Sequence, residues 1–252
     1  MSSKPIIPLE VCCGSAEDAI AAYRGGAFRV ELCSDLFHGG LTPSMGTLKT
    51  VQKDAPALSV MCMVRPREGG FCYTATEFDV MLADAAAFAE AGAQGVVFGF
   101  LHEDGTIDAE RCKKLLSVLP ASCERVFHRA FDLTPDPFAT MEKIIELGFT
   151  RILTSGQKPT VPEGVRLIRE LTEKAGDRIE IMPGAGITPE NAVWCKEQIG
   201  AKTLHVAMHR TQYDRSAAGN PAIYFGGAVY PPEDRFLVTD KRDVEAFLTT
   251  IA

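Results

Sequence analysis

The sequence predicts an α/β chain folded as a TIM (β/α)8 barrel, a single domain over residues 1–252. Three observations point there. Short apolar runs alternate with amphipathic stretches along the chain, the pattern of a parallel sheet closed by crossover helices. A weak internal repeat aligns without gaps at 25–31 (GGAFRVE), 91–97 (AGAQGVV), 147–153 (LGFTRIL) and 199–205 (IGAKTLH). Each copy reads as a helix ending near glycine, a short connection and a strand. The copies fall on the second, fourth, sixth and eighth strands, and that even recurrence suits a closed barrel. Third, the strands carry ionisable residues between apolar ones, which calls for two differently lined faces.

Taken in order, the strands are expected at 9–13, 29–33, 58–64, 95–98, 125–128, 151–153, 178–182 and 203–206. The clearest helix follows Thr76, where Phe78, Met81, Leu82, Ala85 and Phe88 recur at three and four residues. Thr42-Pro43, Thr134-Pro135 and Thr188-Pro189 read as N-caps followed by proline. Thr74 with Glu77 and Thr160 with Glu163 have capping-box spacing, and a last helix fits 240–251. Residues 210–236 show little periodicity and are expected as a long irregular segment, functional or an assembly contact.

Composition narrows the function classes. The 252 residues are 46% hydrophobic and 23% charged, a globular balance. A net charge of −7 argues against non-specific nucleic-acid binding and against docking on an anionic membrane. Residues 1–8 are too short and polar for a signal peptide, and the uncharged stretch 216–232 is broken by Gly, Asn and Pro. Eight scattered cysteines without a CxxC pair indicate reduced thiols in the cytoplasm, not a disulfide or zinc framework.

Candidate chemistry lies on the strands. If Leu9, Val11, Val30 and Leu32 face the helices, Glu10, Cys12, Glu31 and Cys33 point into the barrel. Arg65 ends the third strand, His128 the fifth, and His205 sits between Leu204 and Val206. Glu180, between Ile179 and Ile181, fits either face. Ionised groups inside a barrel cost several kcal/mol unless paired or used, roughly, and chemistry in this fold sits at the carboxyl ends of the strands. A satisfied ionic network is the alternative reading of the same residues. Neighbouring strands would let Cys12 and Cys33 hold one soft ion such as Cu(I), with Met61 and Met63 as further soft donors; buried packing is the bland alternative. Arg67, Ser155, Lys158, Gly184 and Gly186 mark loops suited to a small phosphate or carboxylate, the glycine turn leading toward the Thr188 helix. In 128–132, His128 is a candidate acid or base with Asp132 as the carboxylate that fixes its tautomer. His38, His102 and His209 read as loop residues.

The motifs 9–12 (LEVC), 29–33 (RVELC), 39–44 (GGLTPS), 65–67 (RPR), 127–132 (FHRAFD) and 153–158 (LTSGQK) resemble the CutC copper homeostasis family. The similarity runs from about Leu9 to His205. It implies a TIM barrel, cytoplasmic placement, homo-oligomers of two or more chains, and a role in copper tolerance or trafficking. It also implies Cu(I) binding, with Cys12 and Cys33 as the metal residues here. Departures fall at Val206–His209, at Glu180 and in 210–236. The second reading is a barrel enzyme acting on a small anionic substrate by acid/base chemistry. In it Glu10, Glu31, Arg65, His128, Asp132 and His205 form the catalytic set, and Arg65 also helps the loops hold the anion.

Overall fold

A computed structural model describes residues 8–220, 222–225 and 233–251. Eight parallel strands form one sheet: β1 (Leu9–Cys13), β2 (Arg29–Leu32), β3 (Ser59–Met63), β4 (Gly95–Phe98), β5 (Glu124–Phe127), β6 (Arg151–Thr154), β7 (Glu180–Pro183) and β8 (Leu204–Val206). They run β7-β6-β5-β4-β3-β2-β1-β8, and a parallel bridge from Gly184 to His205 closes the ring. The helices are α1 (Ala16–Arg24), α2 (Met45–Asp54), α3 (Ala75–Glu90), α4 (Ala109–Leu116), α5 (Pro137–Leu147), α6 (Val161–Ala175), α7 (Ala192–Ile199) and α8 (Lys241–Thr250). The TIM-barrel expectation holds, and strand β5 starts one residue early, so His128 lies just beyond its end.

Period-two alternation divides the apolar residues into two clusters, as it must when one face of every strand meets helices. Leu9, Val11, Val30, Leu32, Val60, Cys62, Val96 and Phe98 belong to the large strand–helix layer. Inside the barrel, Cys33, Met61, Met63, Val97 and Val126 form a small second cluster, with Cys12 packed against it.

Local signals fixed most helix starts. Thr74 and Glu77 make the reciprocal capping box of α3. Thr160 precedes α6, but its hydroxyl donates to the Glu163 carboxylate rather than capping the backbone. The three Thr-Pro pairs are corrected: the N-caps are Ser44, Asp136 and Asn191. Thr42 instead accepts from the Arg65 backbone N–H, and Thr134 closes the 3-10 turn Arg129–Leu133. Ser44 and Asp136 accept from backbone N–H groups in the first turns of their helices, while Asn191 bonds backward to the Thr188 N–H and the Gly186 carbonyl.

The segment expected as irregular carries a two-stranded antiparallel ribbon, β9 (Arg210–Tyr213) with β10 (Arg235–Val238), and a 3-10 turn at Arg215–Gly219. Residues 221 and 226–232 of that segment lie outside the described residues. Among the described residues, no helix is long and apolar enough to cross a membrane.

Candidate metal and ionic site in the barrel

Glu10, Glu31, Cys33, Arg65, His128 and His205 are all buried, and Cys12 is half-buried. The structure brings four of the expected residues together with Glu10 around the axis. Glu31 Oε2 lies 3.5 Å from Cys12 Sγ and 3.6 Å from Cys33 Sγ. One donor atom each from Cys12, Glu31 and Cys33 falls within 4.8 Å of the others, and the same holds for Glu10, Glu31 and His205. Glu10 holds His205 Nδ1 at 2.8 Å, which turns Nε2 toward Glu31 Oε2 at 3.8 Å.

Below the thiols lies an ionic layer that the sequence reading passed over. Arg29 Nε donates to Glu10 Oε2 at 2.5 Å. Arg151 Nε donates to Glu180 at 2.7 Å, its Nη2 pairs Glu124, and Nη1 stands 3.8 Å from Glu10. These pairs compensate a desolvation that would otherwise cost several kcal/mol per ion, roughly. Glu180 thus faces inward. The signal was available: Arg29 lies two residues before Glu31, so the parity that placed Glu31 inside places Arg29 there too.

Burial tends to raise Glu10, but the His205 hydrogen bond and the charges of Arg29, His205 and Arg151 outweigh it and hold the carboxyl at about 2. Glu31 goes the other way: burial dominates and pushes it up to about 8, against the pull of His205. A hydrogen bond from Cys33, aided by His205, overcomes burial and keeps Cys12 well below an ordinary thiol. Donating that bond, with burial and Glu31, raises Cys33 well above the thiol range. The two shifts run in opposite directions because the thiols share one hydrogen bond, which favours the ionised form of its acceptor, Cys12. Burial alone would lower His205, yet Glu31, Cys12 and Glu10 raise it well above the imidazole norm.

The other expected residues lie on the loops and are engaged with the protein itself. Arg65 donates through Nη1 to the carbonyls of His38 (3.0 Å) and Gly40 (3.1 Å) and through Nη2 to Gly69 (3.0 Å). Arg67 pairs Glu77 at 2.6 Å and stacks on Tyr73. Asp132 does not orient His128, which corrects the expectation. Its oxygens accept from Thr154 Oγ1 (2.5 Å), Ser155 N and Oγ, Gln157 N and Arg129 Nε, pinning the loop after β6. The tautomer of His128 is set by the Ala130 N–H, which donates to Nδ1 at 3.2 Å. Ser155 is fully buried, bonded to Asp132, Arg129 and the Lys158 carbonyl, while Lys158 is exposed. Gly184 packs on Leu153 and His205, and Gly186 on Thr160. Helix α7 begins only at Ala192, so the glycine turn does not open onto its N-terminus.

A model of the CutC family matches residues 7–210. The chain belongs to the CutC family. A CutC family protein of Treponema denticola is 52% identical over 228 residues, 90% of this chain and 92% of that protein. The human copper homeostasis protein cutC homolog is 43% identical over 235 residues, covering 92% and 84% of the two chains. The crystal structure of CutC from Streptococcus agalactiae superposes with a TM-score of 0.76 at 35% identity, over 79% of this chain and 97% of that one. A thiamine phosphate pyrophosphorylase from Pyrococcus furiosus, at 15% identity and a TM-score of 0.55, shares the fold alone. The CutC family match ends at Arg210, where the β9–β10 ribbon begins.

Proposed function

We propose that this CutC family member serves copper homeostasis by holding one Cu(I) ion between Cys12 and Cys33 at the carboxyl ends of β1 and β2. The observation that carries the reading is the convergence of two thiols and the Glu31 carboxylate within 4.8 Å. A sulfur–sulfur distance inside that limit is within reach of two metal–sulfur bonds of about 2.3 Å each. The donor set fits the ion: thiolates favour soft Cu(I), and Met61 and Met63 stand in the same inner cluster. A closed structural zinc site would need four ligands. The Cys33 hydrogen bond and His205 favour the thiolate of Cys12, the form of cysteine that binds metal. The copper names of the human and streptococcal relatives support the same cargo.

A cytoplasmic location belongs to this reading, supported by eight unpaired cysteines. Assembly into a homo-oligomer belongs to it as well, supported by exposed Tyr213, Phe236 and Leu237 on the ribbon, and analytical ultracentrifugation tests it.

The deciding experiment is an anaerobic Cu(I) competition titration with a calibrated chelator, comparing wild type with Cys12→Ser/Cys33→Ser. One tight site that disappears in the double variant is the expected result. Equal affinity in both proteins would overturn the assignment, because six other cysteines remain to bind copper weakly.

A further inference from the structure

Three buried donors around the third strand's loop have no acceptor among the described residues: Arg65 Nε, Tyr73 Oη and His128 Nε2. Their side chains are at least nine-tenths buried, with residue exposures of 7%, 4% and 3%. They are neighbours by way of Phe71. The Arg65 guanidinium lies 5.4 Å from the Phe71 ring centre, and the His128 ring lies 4.6 Å from it on centroids. Tyr73 is two residues further along the same loop, its hydroxyl oxygen close enough to the Arg65 guanidinium to accept from it, which leaves the phenol proton to donate.

Each of the three is a donor in its resting state. Nδ1 of His128 accepts from the Ala130 backbone, which leaves the ring proton on Nε2. Burial and the Arg65 charge keep that imidazole neutral, at about 3. Arg65 is fixed in place because Nη1 and Nη2 grip three loop carbonyls, and only Nε is left over. One positive charge and three unmatched donors lack a single kind of partner: an oxygen acceptor bearing negative charge.

We propose that Arg65, Tyr73 and His128 form a site for one small oxyanion, a carboxylate or phosphate group, at the carboxyl ends of β3 and β5. The site is separate from the thiol pair and does not depend on copper. The loop that carries it is already ordered, since Arg67 binds Glu77 and the carbonyls of Glu68, Gly70 and Cys72.

The test is titration of the full chain with inorganic phosphate, and separately with acetate, at constant ionic strength set by chloride. Affinity is read by calorimetry, and the Nε2–H resonance of His128 is followed by NMR. Tyr73→Phe removes only a hydroxyl and retains the packing; His128→Phe keeps a ring against Phe71 but frees the Ala130 N–H, so its fold is checked by circular dichroism. The expected result is saturable binding of at least one oxyanion, a shift of the His128 Nε2–H signal, and about tenfold weaker binding in either variant, the size of one hydrogen bond to a charged group. Phosphate and acetate arms then identify the class. Failure of both anions to bind, or binding unaltered in both variants, overturns the site and leaves water as the partner of these donors. Repeating the titration on Cys12→Ser/Cys33→Ser separates the two proposals: unchanged oxyanion affinity is expected there, and its loss would merge this site with the thiol centre.

Discussion

Glu10 lies between Arg29 and His205 with 1% of its surface exposed, and its carboxyl stays ionised to about 2. A depressed carboxylate contributes stability above its unfolded value of 4.5 and loses it as pH falls toward 2, a total of about 3 kcal/mol at 1.36 kcal/mol per unit. His128 has the same sign for a different reason. Buried neutral at about 3, it contributes stability above 6.5 that is lost as pH falls, because the unfolded imidazole takes up the proton first. Glu31, raised to about 8, and His205, also raised, act oppositely: their contribution is complete below the unfolded values and fades as pH rises. Wild type alone therefore shows a blunted slope between pH 7 and 5. The difference isolates His128: between those pH values His128→Phe should gain about 2 kcal/mol relative to wild type in urea unfolding. Parallel pH curves for the two proteins would mean that His128 titrates normally. The same scale shows what the sequence made legible. Alternation placed Glu10, Cys12, Glu31, Cys33 and His205 inside, and parity alone also held Arg29 and Arg151. The partner of each was not legible, since Glu10 reaches Arg29 across nineteen positions and His205 across 195.

Among the elements, α6 is pressed onto the β6 loop more closely than any side chain allows. A Cβ at Gly164 would stand 1.9 Å from the Ser155 carbonyl oxygen. Alanine in a helix is ordinarily better than glycine by roughly 0.5–1 kcal/mol, so the sign of Gly164→Ala discriminates. A loss of about 2–3 kcal/mol in chemical denaturation is expected, the magnitude of an overpacked contact. Stabilisation would show that α6 can slide away from the loop. The element boundaries were read well where a signal is local, as in the Thr74–Glu77 capping box and the α3 apolar stripe. They differ at the Thr-Pro pairs, where the Thr42 hydroxyl serves the loop after β3 and the Thr134 hydroxyl closes the 3-10 turn before it.

For the whole molecule, closure of the barrel depends on joining the last elements to the first. Buried Asp18 in α1 accepts from the Thr239 N–H at 2.6 Å through one oxygen and from Gly14 N–H at 3.1 Å through the other. Asp18→Ala leaves both donors unmatched. We expect a cost of about 2–4 kcal/mol by thermal or urea unfolding, from two hydrogen bonds to a charged acceptor. A change under half a kcal/mol, roughly, would show that α8 docks through apolar contacts of Val244 and Phe247 alone. Periodicity and turn chemistry, which are local properties of the chain, specified the barrel and the inward faces of β1, β2 and β8, while leaving the face of Glu180 open. The tertiary structure decided which inward groups became partners. Strand register and ring closure brought β8 beside β1, set Glu10 between Arg29 and His205, and drew Asp132 to the β6 loop and away from His128. Those choices depend on distances between residues far apart in the chain, and no local pattern encodes them.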